Sequence, residues 1–432
     1  MLETLRNAWK IKEIRNKILF TIFILVIFRI GSVIPVPYID VAALKAANEA
    51  TTNDFFNYLS ILTGGGLEYG AIFAMSVTPY INSSIIIQLL CVAIPVLGRW
   101  QKEGEEGQKK LAQLTRYITI ALALLQGIGF FFYLLNGDSR IDTYLSVSGG
   151  ATVFAGFVIV LAFTAGSALV MWLGERIDEK GIGNGISMIL FAGILSRGPQ
   201  AFTALYYNFV EYKKYVPVIA IVIVFLLIIA FVVWMTNAER RIPVQYAKRV
   251  VGNKMYGGQN THIPIKVNMS GVMPIIFASS ILMLPTMLLG FMKIKETPSS
   301  LYKFLTLFSV QGVFYAVIYF LLIIGFAYFY ATIQFNPVEM ANNLRKNGGA
   351  VPGIRPGKPT SDFISKILSR ITLMGALFLS VLAILPIIVG SVGGMNVALG
   401  GTSVLIMVGV ALDTVRNLES QMMMRHYKGF LD

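Results

Sequence analysis

The sequence predicts an all-α polytopic membrane protein, and three observations support that prediction. Of its 432 residues, 56% are hydrophobic and only 13% are charged, and the mean hydropathy is +0.69. The apolar residues fall into ten runs of about 20 residues, the length of a helix that crosses a hydrocarbon core. The basic residues are concentrated in one set of connecting loops. A water-soluble chain of this composition would be difficult to keep monomeric.

The predicted elements follow the apolar runs in order. Ten spans are predicted near residues 18 to 34, 76 to 97, 114 to 135, 151 to 173, 183 to 205, 215 to 235, 271 to 292, 310 to 331, 370 to 390 and 398 to 416. A glycine-rich half-helix, near residues 55 to 75, precedes the second span and is too interrupted to cross alone. The first 17 residues are basic and amphipathic, which favours a helix lying on a membrane surface.

The charges give this arrangement an orientation. The terminal segments and the loops on their side of the membrane hold 27 Lys and Arg against 14 Asp and Glu, whereas the opposite side holds eight of each. Because cytoplasmic loops carry the excess of Lys and Arg in membrane proteins, both termini are predicted to be cytoplasmic.

Ten spans with both ends on one side can be divided into two sets of five. Because five is an odd number, the second set would cross the membrane in the opposite sense, as in an inverted repeat with a pathway at its interface. The predicted N-terminal half is residues 1–205 and the C-terminal half is residues 206–432. No clear internal sequence repeat is visible, so this division rests on topology.

The predicted spans contain few ionisable residues, and Arg29 and Asp413 are the exceptions identified. Ion-coupled transporters usually need such groups, which weakens a transporter interpretation, although sodium sites built from carbonyls and hydroxyls stay possible. The sequence has no HExxH, no GxSxG and no intramembrane aspartate pair, so an enzyme is not expected. One cysteine and two histidines argue against a disulfide framework, a Cys/His metal site or a bound cofactor.

The second span is broken and contains polar residues. It follows three glycines, is interrupted at Pro79, and carries Asn82, Ser83, Ser84 and Gln88. Because lipid cannot satisfy stray polar groups, such a span should line a cavity that is enclosed by protein.

Two cytoplasmic loops, residues 236–270 and 332–370, are long and basic. The first is predicted to form a hairpin that closes at the glycines of YGGQN. The second should begin as a short helix, end at Gly348 and Gly349, and present Arg355 on a turn stiffened by Pro356. Such loops suit docking of an acidic partner or of RNA phosphates, and the alternative is charge that serves orientation alone.

Seven segments in order and in register resemble the SecY family of protein-conducting channels. They are TPYINSSIIIQLL, GEEGQKKLAQLTRY, WLGERIDEKGIGNGIS, ERRIPVQYAKR, THIPIKVNMSGVMPIIFASSIL, FNPVEMANNLRKNGGAVPGIRPG and GGTSVLI. The resemblance covers nearly the whole chain. It implies an hourglass pore between two five-span halves, through which unfolded secretory polypeptides cross the plasma membrane and from which membrane segments leave sideways into lipid.

The resemblance also implies particular residues. The pore ring would consist of Ile81, Ile85, Ile186, Leu190, Ile276 and Ile406. The plug would contain Leu59, Gly64, Gly65, Gly66, Leu67, Glu68, Tyr69, Gly70, Ala71, Ile72 and Phe73. The lateral gate would use Thr78, Asn82, Ser83, Ser84, Gln88, Ser279, Ser280 and Thr286. A motor or a ribosome would dock on Arg240, Arg241, Lys248, Arg249 and Arg355.

The partners that the resemblance implies are SecE-like and SecG-like subunits, the motor ATPase SecA, the ribosome, and the signal sequences and secretory preproteins that the channel would carry. Spacing supports the ring independently, because residues 81 and 85, like 186 and 190, share one helix face. The alternative function is that of a secondary transporter of a small solute, which would need a closed midplane site for a specific ligand.

Overall fold

The computed structural model describes residues 6, 8–50, 60, 63–136, 143–147, 149–211, 215–246, 249–251, 254–256, 260–268, 271–291, 313–393 and 401–428. The helices there are α1 (Lys12–Gly31), α2 (Val41–Ala50), α3 (Thr78–Ala93), α4 (Pro95–Lys102), α5 (Glu105–Asn136), α6 (Ala151–Lys180), α7 (Gly185–Ser196), α8 (Gly198–Val210), α9 (Tyr215–Asn237), α10 (Met273–Phe291), α11 (Val313–Gln334), α12 (Pro337–Lys346), α13 (Lys358–Gly393) and α14 (Gly401–Lys428). The strands are β1 (Glu239–Tyr246), β2 (Arg249–Val251), β3 (Lys254–Tyr256), β4 (Asn260–Lys266) and β5 (Gly349–Ala350).

A helix occupies each of the ten predicted spans, which confirms that part of the prediction. The second span bends by 104° where α3 meets α4, because Ile94 is extended before Pro95 and a proline cannot continue the helical hydrogen bonds. The fifth span is divided at Arg197 into α7 and α8. Taken singly, five of the described helices are long and apolar enough to cross a membrane, and the bent pair makes six.

The chain forms two compact units, and the first comprises residues 1–218, 282–312 and 395–432. One of its apolar clusters joins the loop after α1, the segment before α3, and the facing sides of α5 and α6. The buried members of this cluster are Val36, Ile39, Leu44, Leu67, Ala74, Met75, Phe130, Leu134, Tyr144, Leu145, Ile159 and Phe163. The last helix also belongs to this unit, since Thr414 on α14 donates a hydrogen bond to Met188 on α7 (Oγ1 to Sδ, 3.4 Å).

The second unit comprises residues 219–281 and 313–394. It contains a three-stranded antiparallel sheet in the order β4-β1-β5, which packs on α12 and α13. Ile242 and Val244 point from β1 into this cluster and meet Leu344 of α12 and Ile364 of α13. Strand β1 alternates buried and exposed residues because one face of the sheet covers this core.

The segment predicted to form a hairpin, residues 236–270, contains two antiparallel strand pairs. β2 pairs with β3, with Val251 opposite Lys254, and β4 pairs with β1 along its length. The glycines of YGGQN, at which the hairpin was predicted to close, lie outside the described residues.

Within the half-helix predicted over residues 55 to 75, Ser60 is helical, but the described residues from 63 onward form turns and one β-bridge. Residues 63–70 and 72–77 are turns, and Ala71 makes an isolated β-bridge with Pro35. Gly64, Gly65 and Gly70 have φ values of 65°, 88° and 55°, a conformation that interrupts a right-handed helix. Residues 51–59, 61 and 62 lie outside the described residues.

Candidate functional site

We call residues 63–77 the plug segment, and they are enclosed in the core of the first unit. Two backbone hydrogen bonds tie the segment to the chain that leaves α1. Val36 donates to the carbonyl of Gly70 at 2.9 Å, and Ile72 donates to the carbonyl of Ile34 at 3.0 Å. Because Leu67 belongs to the apolar cluster that joins α5 and α6 as well, the segment is both hydrogen-bonded and packed.

Two glycines of neighbouring helices make room for this packing. The ring of Phe73 lies where a Cβ of Gly31 on α1 would be, and it stacks on Phe28 with ring centroids 6.1 Å apart. The carbonyl oxygen of Ile72 lies where a Cβ of Gly166 on α6 would be. Any side chain at either glycine would therefore push against the plug segment.

Charged side chains also contact this region. Arg29 on α1 donates from Nη1 to the carbonyl of Gly64 at 2.6 Å. Arg197, between α7 and α8, forms an ion pair with Glu68, and its Nη2 donates to the hydroxyl of Ser60 at 2.6 Å. Lys45 on α2 places its Nζ 4.1 Å from the ring centroid of Tyr69.

Sequence reasoning missed Arg197. The statement that Arg29 and Asp413 are the ionisable exceptions in the spans is wrong, because Arg197 falls inside the fifth predicted span, residues 183 to 205. A charge within an apolar span is the signal that could have found it, since such residues are costly and mark functional sites.

The structure places most predicted plug residues in or beside the plug segment. Among the described ones, those that are buried are Gly64, Gly65, Gly66, Leu67, Gly70, Ala71 and Phe73. Glu68, Tyr69 and Ile72 are half-buried. Leu59 lies outside the described residues.

The structure places five of the six predicted ring residues in the first unit and Ile276 in the second. Of the five, Ile81, Ile85, Leu190 and Ile406 are buried. Ile186 is half-buried, and its Cδ1 packs 2.6 Å from the position that a Cβ of Gly174 on α6 would take. Their convergence into one ring stays a prediction.

Five predicted gate residues lie on α3: Thr78, Asn82, Ser83, Ser84 and Gln88. The hydroxyl of Ser83 is used inside the first unit, where its Oγ lies 2.5 Å from Oγ1 of Thr119 on α5. Gln88 donates from Nε2 to the hydroxyl of Ser84 at 3.5 Å, within the same helix. These contacts hold α3 against α5 and order its polar face.

The other predicted gate residues lie on α10. Ser279 is buried and donates from Oγ to the carbonyl of Ile276 at 2.9 Å, which is a contact within the helix. Ser280 is half-buried, and the side chain of Thr286 lies outside the described residues. The role of all eight residues in a gate stays a prediction.

The basic docking residues belong to the second unit. Arg240 and Arg241 are exposed on β1, and Arg241 donates from Nε to Glu239 at 2.7 Å. Lys248 lies outside the described residues, and Arg249 begins β2, with its side chain outside them. Exposed strand residues of this kind are available to a partner.

Arg355 projects from an ordered turn between β5 and α13. Gly353 and Gly357 flank it with φ values of 78° and 105°, and Thr360 donates from Oγ1 to the Arg355 carbonyl at 2.8 Å. Ile354 packs on the apolar cluster of the sheet, while the guanidinium is exposed. The prediction of an arginine presented on an ordered turn is confirmed.

In the described part of the chain, no three His, Cys, Asp or Glu residues come together in a way that could hold a metal ion. The helices and the enclosed plug segment define an α-helical, multi-pass membrane protein.

Comparison with known proteins identifies the family. Residues 71–415 match the SecY family. The protein translocase subunits SecY of Mycobacterium bovis and Bacillus subtilis are 41% and 42% identical, over 444 and 447 residues that cover each chain completely. The chain therefore belongs to the SecY family, which confirms the resemblance seen in its sequence.

Solved structures support the fold. A protein-conducting channel structure has a TM-score of 0.66 at 18% identity and covers 94% of this chain and 92% of its own. Canine Sec61 in a ribosome–channel complex has a TM-score of 0.62 at 17% identity, with the same coverage of both chains. This agreement confirms the predicted fold class of a channel-type helical membrane protein.

Proposed function

We propose that this chain is the channel subunit of a protein translocase. It carries unfolded secretory polypeptides across the plasma membrane and releases membrane segments sideways into lipid. The observation that carries this proposal is the full-length similarity to translocase subunits at 41% to 42% identity. A plug segment that is packed into the first unit, immediately before α3, is the element that such a channel needs to stay closed.

The plug and the ring have complementary roles in this proposal. A structure of similar fold, with a TM-score of 0.65 and 18% identity, is a SecY protein whose plug domain stabilises the closed channel and maintains a membrane seal. The six ring residues form an aliphatic constriction that repels ions by dewetting and offers a translocating chain no hydrogen bonds. The two halves, residues 1–205 and 206–432, flank that constriction as an inverted repeat.

By family resemblance, the lateral gate uses the polar residues of α3 and α10. Small polar groups across a helix interface contribute about 0.6 to 2 kcal/mol each, so an apolar signal helix can replace them. The half-buried polar residues of α3, which are Asn82, Ser84 and Gln88, are consistent with this use. Both termini and the basic loops lie in the cytoplasm, as the positive-inside rule requires.

Energy for transport comes from a partner, and the exposed arginines are the docking surface. SecA or a translating ribosome binds the region of Arg240, Arg241, Lys248, Arg249 and Arg355. The fold relative Sec61 occurs in a ribosome–channel complex, which supports a ribosome as one partner. SecE-like and SecG-like subunits complete the complex.

Site-directed photo-crosslinking tests the channel. A stalled secretory chain is expected to crosslink to probes at residues 81, 85, 186, 190, 276 and 406. Probes at Leu125 and Phe157, whose side chains are 61% and 64% exposed on α5 and α6, are the outward-facing controls. Crosslinks at the controls alone, with none at the six positions, would contradict the proposal.

The same reconstituted system tests docking. Arg355→Glu is expected to reduce motor-driven translocation about tenfold or more, because reversing a charge at a docking surface repels the partner. Lys366→Glu reverses an exposed charge on α13 of the same unit and is the matched control. Equal translocation by both variants would remove Arg355 from the docking surface.

A further inference from the structure

Three polar side chains outside the plug segment meet at one end of it. Arg29 comes from α1, Arg197 from the α7–α8 junction, and Ser196 from the last turn of α7. Arg29 donates to the carbonyl of Gly64 at 2.6 Å. The hydroxyl of Ser196 donates to the carbonyl of Gly193 at 2.7 Å and lies 3.4 Å from the same Gly64 oxygen. Two separate helices thus place polar side chains beside the carbonyl of one glycine.

Glu68 lies at the centre of the charged contacts. Arg197 pairs with its carboxylate, and the hydroxyl of Ser60 donates to the same Oε1 at 2.6 Å. The side chain of Arg197 is 10% exposed and that of Glu68 is 26% exposed. The pair is therefore largely removed from water. Away from water, the attraction between the two charges is much stronger than at an exposed surface.

The plug segment supplies the counter-ion of Arg197, which is Glu68. Among the described residues, Glu68 is the carboxylate in contact with Arg197, and Arg29 lies close enough to act on the same guanidinium. When the plug segment leaves, Arg197 loses its partner and two like charges stay behind. That cost opposes opening, because an unpaired buried charge is strongly unfavourable.

The hydrogen bonding of the Arg197 guanidinium is also incomplete. The Nε of Arg197 is buried and has no hydrogen-bond partner in the described part of the chain. A buried donor without a partner costs free energy, so it lowers the stability of the closed arrangement.

We propose that Glu68 and Arg197, bridged by Ser60, form an ion-pair latch that holds the plug segment in its closed position. The latch rests on the proposed channel function. It adds to that proposal the residues that stabilise the closed position of the plug segment in this chain. Opening breaks the pair, and closing remakes it, with the carbonyl of Gly64 returning to Arg29.

Resting ion flux from proteoliposomes of the complete translocase tests the latch. Glu68→Gln keeps the size of the side chain and removes its charge, so it is expected to raise resting flux between about tenfold and about 100-fold. Glu105→Gln is the matched control, because Glu105 pairs with Lys109 at an exposed helix position where its side chain is 83% exposed. That control is expected to leave resting flux unchanged.

A double-mutant cycle separates the latch from a general loss of stability. The variant with both Glu68→Gln and Arg197→Gln is expected to leak less than the product of the two single effects, because the second change removes the charge that the first leaves unpaired. Independent, multiplying effects would overturn the latch. Ser60→Ala is the milder variant, with an expected rise of a few fold, and an unchanged flux in both Ser60→Ala and Glu68→Gln would also overturn it.

Translocation by the unmodified protein, measured in the same vesicles, keeps the two proposals apart. If the unmodified protein translocates and Glu68→Gln leaks no more than Glu105→Gln, the latch fails and the channel function stands. If the unmodified protein moves no secretory chain, the proposed function fails whatever the flux.

Discussion

The plug segment and helix α3, which follows it directly, are both buried in the first unit, but different contacts hold them. The plug segment is held by backbone hydrogen bonds to residues 34–36, by glycine-lined contacts and by charged groups on three other elements. Helix α3 buries Ile81 and Ile85 among apolar neighbours and ties itself to α5 through the hydroxyls of Ser83 and Thr119.

In the proposed channel, the difference corresponds to two mechanical tasks. A segment that moves as one piece is best held by a few directional contacts, which are lost together and reform in a single geometry. A wall that tolerates every kind of side chain is best made of aliphatic groups, whose attraction is non-directional and does not depend on the chemistry of the passing chain. The first design gives a defined closed state, and the second gives a seal without specificity.

The largest expected effect comes from filling the space that the plug segment occupies on α6. Gly166→Ala places a methyl group against the carbonyl oxygen of Ile72, which is backbone and cannot rotate away. Overpacking of this kind costs about 1–3 kcal/mol, so resting ion flux is expected to rise up to about 100-fold. Proteoliposome flux measures it.

Gly325→Ala on α11 is the control for that experiment. A Cβ at Gly325 meets no atom within 4 Å, so the same change in a helix of similar hydropathy should leave flux unaltered. Equal flux in both variants would show that the plug segment does not pack tightly against α6 in the resting channel.

A smaller effect is expected from a polar residue in the ring. Ile406→Asn puts an amide in the place of a buried aliphatic group, which favours water in the constriction and weakens the dewetting barrier. Resting flux should rise about tenfold, and chains with defective signal sequences should pass. Ile406→Val keeps the chemistry and is the control. The contacts indicate that the plug segment contributes more to the seal than the ring does. A ring variant that leaks more than Gly166→Ala would reverse that order.

The helices were predictable because hydropathy alone decides them. A run of about 20 apolar residues has few alternatives to a helix in lipid, and each of the ten runs is helical, although the second and the fifth are each divided between two helices. The turn at Arg355 was also predictable, since Pro356 restricts the backbone of the residue before it and Gly348 and Gly349 favour an end to the preceding helix.

The surroundings of the plug were not predictable to the same degree. Glu68 and Arg197 are 129 positions apart, and no local pattern pairs them. Glycines at 64, 65 and 70 predicted weak helicity correctly, but the turns they form depend on tertiary bonds to residues 34–36. The ring and gate residues were inferred from family resemblance. Their roles stay predictions, because each set has members in both compact units.

The smallest expected effect concerns the outer face of the plug segment. Lys45 lies over the ring of Tyr69, a half-buried contact of a kind that contributes about 0.5–1 kcal/mol. Lys45→Ala should therefore raise resting flux only about two- to fivefold. Lys45→Arg keeps the cation over the ring and should restore the original flux. If Lys45→Ala leaked as much as Glu68→Gln, the contact between Lys45 and Tyr69 would stabilise the closed state as strongly as the ion pair does. The contrast between a plug held by an ion pair and an aliphatic wall would then be wrong, because α2 would hold the plug segment as well.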